Sequence, residues 1–450
     1  MRSHPSPIQF IESGVRMFHT YDQALNWIHS RLRFGMKPGL TRMEMMMEKL
    51  NHPEDKIKTI HIGGTNGKGS TVTYLRNILQ QAGLTVGTFT SPYIEQFNER
   101  ISIDGIPISD EELLTLANKL LPLVEEMDQM DIGGPTEFEI ITAMSFYYFA
   151  YMAKVDVVIY EVGLGGRLDS TNIISPLLSI ITSIGLDHTA ILGDTYREIA
   201  IEKAGIIKRN TPIIASVKQP EAREEIVNKA QEQKASLYLL SKDFKLENAI
   251  SNREGESFSV STAFNKWADL QICMFGKHQV ENASLAVIAA FLLKEEFECI
   301  NEQSIRIGLL NAKWPGRFEI ISNNPLVVLD GAHNVEGVQA LTDVLLNRYA
   351  NRKKSIIFAA LADKKTDKMI ELLDQVATDI TFVTFDYPRA ADSKALYNES
   401  NHPNKACTSN WSNAIKEGYE STTSDSMLII TGSLYFVSEV KKFWANYSKL

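Results

Sequence analysis

The stretch His61-Ile62-Gly63-Gly64-Thr65-Asn66-Gly67-Lys68-Gly69-Ser70 joins an apolar, β-branched run at residues 59–62 to a helical pattern over residues 70–82. Val72, Leu75 and Leu79 recur at helical spacing there, and Gly83 supplies the stop. Strand, glycine-rich turn and helix in that order make an anion cradle. Glycines let backbone N–H groups converge on a phosphate, the helix N-terminus adds partial positive charge, and Lys68 is placed to reach terminal phosphates. The pattern departs from the common Walker form, because Gly69 separates Lys68 from Ser70 and Ile62 stands where the first glycine would be. A turn that merely joins strand to helix is the plainer alternative.

Further runs at residues 155–160, 178–184 and 211–215 read as parallel strands buried on both faces, alternating with helices, which is an α/β layer architecture. A second series follows Trp314-Pro315-Gly316-Arg317, with strands expected at 326–329, 355–359, 380–384 and 427–431. The Pro-Gly pair interrupts both periodicities and marks a hinge near 313–317. The domains expected are therefore 1–312 and 319–450, with 313–318 between them. Residues 219–256 are charged and weakly patterned, and no chemistry is assigned to them.

A chain of 450 residues with 44% hydrophobic content exceeds what one core sustains. A net charge of −9 disfavours a nucleic-acid partner, which calls for a basic face. Cys273, Cys299 and Cys407 are scattered and odd in number, pointing to a reducing cytoplasm rather than a disulfide framework. Met1-Arg2-Ser3-His4-Pro5 has no apolar export signal, and the most apolar stretch, 140–153, falls short of a membrane span and reads as a buried helix.

Ligands of α/β sheets gather at the carboxyl ends of strands. Ser91, Glu161 and His188, which has Asp187 beside it, follow such runs. A hydroxyl, a carboxylate and an imidazole near a triphosphate suit Mg²⁺, although histidine is an uncommon ligand for it. Each is equally readable as a capping or satisfied buried group. Lys203 looks like a solvated helix residue. Arg317 at the hinge could fork onto phosphate or form an interdomain ion pair. Asp330-Gly331-Ala332-His333-Asn334 ends a strand facing the expected cleft. Gly163-Leu164-Gly165-Gly166 also follows a strand, but Leu168 replaces the third glycine of a dinucleotide pattern.

Taken together these segments resemble the folylpolyglutamate synthase and dihydrofolate synthase family of the Mur ligase superfamily. The resemblance rests on Gly64-Thr65-Asn66-Gly67-Lys68-Gly69-Ser70, Thr90-Ser91-Pro92-Tyr93 with Phe97-Asn98-Glu99-Arg100-Ile101, and Tyr160-Glu161-Val162-Gly163-Leu164-Gly165-Gly166-Arg167-Leu168-Asp169-Ser170-Thr171-Asn172. Leu186-Asp187-His188, Glu202-Lys203-Ala204-Gly205-Ile206, His278-Gln279-Val280-Glu281-Asn282-Ala283, Trp314-Pro315-Gly316-Arg317 and Asp330-Gly331-Ala332-His333-Asn334 follow in the family's order.

The resemblance implies a P-loop-type N-terminal domain with a mostly parallel sheet and a smaller Rossmann-like C-terminal domain. It further implies that residues Gly64 to Ser70 with Asn282, Arg317, Asp330 and His333 bind ATP, and that Ser91, Glu161 and His188 bind Mg²⁺. Phe97 and Arg100 would lie beside folate, Lys203 would be carbamylated, and Lys68, His188, Lys203 and Arg317 would serve catalysis. The implied reaction adds L-glutamate to the γ-carboxylate of a folate through an acyl phosphate. Whether dihydropteroate is also a substrate stays open. The expected molecule is a cytoplasmic monomer without a nucleic-acid or membrane partner. A Mur-type ligase acting on a UDP-linked precursor and a nucleotide-dependent switch are the competing readings.

Overall fold

The phosphate-loop strand lies inside the larger of three sheets. The computed structural model describes residues 17–35 and 37–447, so Met1–Pro5 lies outside the described residues. Strands β1 (Thr59–Gly63), β2 (Val86–Phe89), β3 (Ile101–Ile103), β4 (Ile106–Pro107), β5 (Val157–Glu161), β6 (Leu178–Ile181), β7 (Ile213–Ala215) and β8 (Leu237–Leu239) form one sheet. Its order is β4-β3-β2-β5-β1-β6-β7-β8. From β2 to β8 the pairing is parallel, while β3 and β4 add an antiparallel edge. Continuous apolar runs mark the interior strands because both faces are covered, and β1 and β5 are buried at every position.

One face packs on helices Lys68–Gln81 and Lys277–Leu293 and on a three-stranded antiparallel sheet of β9 (Phe244–Asn252), β10 (Gly255–Thr262) and β11 (Lys266–Ile272). Helices Tyr21–Ser30, Thr41–Lys49, Asp110–Asp128 and Glu137–Tyr147 cover the other face. The apolar stretch from Ile140 continues as a π-helical turn, Tyr148–Met152, whose Phe149 is buried whereas Tyr151 and Met152 are exposed. No helix among the described residues is long and apolar enough to cross a membrane.

The second α/β unit contains β12 (Glu319–Asn323), β13 (Leu326–Asp330), β14 (Lys353–Phe358), β15 (Asp379–Val383), β16 (Lys405–Thr408) and β17 (Ser426–Thr431), in the order β12-β13-β17-β14-β15-β16. Separate cores fill its two faces. Each strand expected from the sequence in this unit exists within two residues of its expected ends; β12 and β16 were not foreseen.

Two expectations are corrected. The run at 178–184 is a strand only to Ile181; Thr182 N–H still donates to the Gly63 carbonyl at 2.9 Å, and its hydroxyl reaches the carbonyls of Asn66 at 2.6 Å and Gly63 at 3.2 Å. Residues 219–256, charged and weakly patterned in sequence, contain helix Pro220–Glu232, β8, β9 and the start of β10. Beyond Phe244, β9 is largely exposed, and its pairing with β10 shifts register, so neither a buried run nor a clean alternation appears.

Helix Glu302–Asn311 holds the phosphate-loop helix at backbone distance, since a Cβ on Gly308 would come within 2.5 Å of the Ile78 backbone. Gly308→Ala is expected to destabilise the protein by about 1–3 kcal/mol through overpacking. Urea unfolding measures this, and an unchanged midpoint would mean that the two helices separate freely.

Candidate active site

Gly64 and Gly67 shape the loop between β1 and helix Lys68–Gln81. Gly64 has φ 143°, and a Cβ there would lie 2.0 Å from the Thr182 hydroxyl; Gly67, at φ 87°, would place one 2.2 Å from Asn282 Oδ1. Only glycine fits both the backbone conformation and the space. The loop leans on the chain leaving β6: Thr65 N–H donates to the Ser183 carbonyl at 2.9 Å and Asn66 N–H to the Ser183 hydroxyl at 3.0 Å.

Two lysines converge on one carbonyl of this loop. Lys68 Nζ donates to the Gly64 and Thr65 carbonyls at 3.1 and 3.2 Å, and Lys203 Nζ donates to the Gly64 carbonyl at 3.0 Å. Lys203 is 4% exposed, so its appearance as a solvated helix residue is overturned. Burial, then the neighbouring Lys68, lowers its amine to about 7. Burial also lowers Lys68.

Glu161 ends β5 in the same cleft, where its carboxylate accepts from Ser91 N–H at 3.2 Å. Burial raises its carboxyl to about 7, although Lys68 opposes the rise. A buried carboxylate held this high gains from a nearby cation, and Ser91 and His188 line the cleft with it. The Ser91 and Glu161 oxygens are hard donors that suit Mg²⁺, so the residues present fit that ion through those two, with His188 adding a nitrogen that Mg²⁺ takes less readily.

The second α/β unit supplies the opposite wall. Arg317 and His333 line the cleft, as do Lys364, Arg389, Ser433 and Tyr435. His333 Nδ1 faces the Gly331 carbonyl at 2.8 Å and therefore carries the proton that it donates there. Asp187 receives Lys364 Nζ on one oxygen and Asn334 Nδ2, at 3.2 Å, on the other. Burial acts to raise the Asp187 carboxyl, yet His333 and Lys364 hold it well below the usual carboxylate range.

Other expected residues support the cleft from behind or lie apart from it. Ser70 and Asn282 are buried beneath the loop, linked through Gln279 at 3.3 Å to each. Asp330 accepts Phe318 N–H at 2.8 Å and Ala332 N–H at 2.9 Å, fixing the connector against β13. Phe97 is buried at 3% exposure, edge-on to His29, while Arg100 lies over the Tyr93 and Phe97 rings and 3.6 Å from Glu137. Gly163, Leu164 and Gly165 form a wall of this same cleft rather than a separate nucleotide site.

Sequence reasoning passed over Lys364, Arg389, Ser433 and Tyr435. Ser433 lies just beyond β17, so the strand-end rule that found Glu161 reaches it too; Lys364 is set back from β14 by an apolar turn that hides it.

The lowered Lys203 amine predicts a pH effect. The unfolded chain binds more protons than the folded one between about 7 and the ordinary lysine value, so stability rises with pH across that window. Lys203→Met is expected to be more stable than the wild type at pH 7 in CO₂-depleted, nucleotide-free buffer, with the gap closing toward pH 10. Parallel stability curves for the two proteins would contradict the buried amine.

Comparison with known proteins agrees with this geometry. The Mur ligase middle domain matches residues 62–290, and the Mur ligase glutamate ligase domain matches 316–434. The dihydrofolate synthase/folylpolyglutamate synthase of Bacillus subtilis is 49% identical over 427 residues, covering 95% of this chain and 99% of the relative. The folylpolyglutamate synthase of Lacticaseibacillus casei is 34% identical, covering 94% and 98%. The folylpolyglutamate synthase of Mycobacterium tuberculosis complexed with ADP and AMPPCP superposes with a TM-score of 0.87 at 29% identity, covering 94% and 99%. An FPGS–AMPPCP–folate complex superposes at 0.82 with 32% identity, covering 94% and 99%. With its phosphate loop, strand-end carboxylate and second α/β wall arranged as described, this chain belongs to the folylpolyglutamate synthase/dihydrofolate synthase family of Mur ligases.

Proposed function

We propose that the chain adds L-glutamate to the γ-carboxylate of a folate at the expense of ATP, releasing ADP and phosphate. The carrying observation is the single cleft in which the phosphate loop, Lys68 and Lys203 face Arg317 and His333 across two α/β units. The folate carboxylate attacks the γ-phosphorus, the bond to the β,γ-bridging oxygen breaks, and ADP departs. The glutamate amine then attacks the acyl phosphate carbonyl, loses its proton, and the tetrahedral intermediate expels inorganic phosphate to leave an amide. No protein nucleophile is required, because positioning and charge neutralisation carry phosphoryl transfer.

In this reading Lys68 and the amides of residues 64–70 hold the β- and γ-phosphates, and Arg317 meets the transferring group from the connector. His333 and Asn282 complete the ATP site, and Asp330 contributes by fixing the turn that carries Arg317. Ser91, Glu161 and His188 would hold Mg²⁺, which when bound supplies neutralisation of triphosphate charge. Phe97 and Arg100 shape the folate side. Domain limits at 1–312 and 319–450, joined by 313–318, suit a site assembled between the units. The cysteines Cys273, Cys299 and Cys407 are free, which fits the reducing cytoplasm.

A lysine near 7 is partly neutral at physiological pH, and the neutral amine is the form that adds CO₂. Carbamylation of Lys203 turns a cation beside Lys68 into an anion, relieving the crowding of two amines on the Gly64 carbonyl. Arginine cannot make that reversal.

Sustained ADP release over many turnovers is expected to require both glutamate and a folate, with a product heavier by one glutamate residue in mass spectrometry. Such release independent of glutamate, or dependent on a UDP-linked precursor, would overturn the assignment. Lys203→Arg is expected to lower kcat about 10²-fold or more, as Lys203→Ala does, given the loss of a preorganised charge in the site. A Lys203→Arg enzyme near wild-type rate would refute the carbamate.

A further inference from the structure

The chain leaving β6 does two jobs at once. Ser183 and Gly185 form hydrogen bonds with Thr65 and Asn66 of the phosphate loop, and a few residues later the same segment meets the second α/β unit. We infer that Asp187, at that meeting point, is a positioning residue: it fastens the C-terminal unit over the phosphate loop and keeps Lys364 directed into the cleft.

Three residues of the C-terminal unit converge on this one carboxylate, which is 9% exposed. Oδ1 accepts from Lys364 Nζ, Oδ2 accepts from Asn334 Nδ2 at 3.2 Å, and His333 Nε2 stands 3.6 Å away. They come from two different strand exits, after β13 and after β14, so the carboxylate constrains the orientation of the unit as well as its distance. Lys364 has a side chain 10% exposed, and Asp187 is the carboxylate with which it pairs. A lysine left there without that carboxylate would turn toward water, because burying an unpaired charge is costly.

Asn334 carries the constraint into the loop itself. Its amide donates to Asn66 Oδ1 at 2.9 Å while its Oδ1 receives Asn66 Nδ2 at 3.1 Å and also caps helix Val335–Arg348 through Gly337 N–H at 2.8 Å. Two residues later, Glu336 accepts Leu186 N–H at 3.1 Å. Rotation of the C-terminal unit away from β6 would break the Asp187, Asn66 and Leu186 links together. Of these three links, the Asp187 one carries the charge on the N-terminal side, and substitution of Asp187 by asparagine keeps the shape while removing the charge.

The test uses native chemistry on each unit. Cys299 and Cys407 are exposed, one in each unit, and serve as spin-label sites once Cys273 is replaced by serine. Asp187→Asn is expected to lengthen or broaden the distance distribution between the labels and to lower kcat at least tenfold, with the thermal midpoint retained because each unit keeps its own core. Lys364→Met approaches the same link from the other side and stands in if Asp187→Asn fails to fold. The double variant Asp187→Asn/Lys364→Met is expected to be no slower than the slower single, since both remove one interaction. An unchanged distance distribution in both single variants, or additive losses in the double, would overturn the inference. The kinetic arm rests on the ligase reading, whereas the distance arm does not; units that open without any folate product ever forming would count against the ligase and leave Asp187 in place.

Discussion

The hydroxyl of Thr182 is the contact on which the site depends. By donating to the carbonyls of Gly63 and Asn66, it holds the chain leaving β6 beside the phosphate loop. A glycine-rich turn has more backbone freedom to lose than any other, so its geometry must be imposed from outside. Thr182 and Ser183 impose it with hydrogen bonds, and the space they occupy excludes a side chain at position 64.

From this fixed loop the electrostatics follow. Lys68 and Lys203 share the Gly64 carbonyl, and Arg317, His333 and Lys364 approach from the far wall. Against them stand Glu161, whose carboxyl is raised by burial, and Asp187, which is held by the C-terminal unit. The cleft is therefore rich in cations near the loop, as a site for a triphosphate and two carboxylate substrates requires. Lys203 is the member whose charge is softest, since burial lowers its amine to where neutral and protonated forms coexist near pH 7.

The fold was legible where both faces of a strand are buried. The runs giving β5, β13 and β17 are apolar over four or more residues and β1 is buried throughout, and the polar residue ending such a run, as with Glu161, lies at the sheet's carboxyl edge. The sheet of β9 to β11 was not legible. It turns one face to water, and its register shifts break the alternation that would mark a half-buried strand. Phe97 and Arg100 show another limit: both belong to a recognisable segment, yet the ring of Phe97 is packed against His29 and Tyr93 inside the N-terminal unit.

By itself, the sequence determined the phosphate loop, most of the buried parallel strands and the family, because these depend on residues adjacent in the chain. Tertiary structure decided which side chains share the cleft. Lys203 has the local pattern of a solvated helix residue, but its amine meets a carbonyl far away in sequence, and its charge state is set by that burial. Lys364 is likewise unremarkable in its own segment, and it becomes the partner of Asp187 because two separately folded sheets present their carboxyl edges to each other. Periodicity reports which face of an element is buried; it carries no information about what another domain brings to that face.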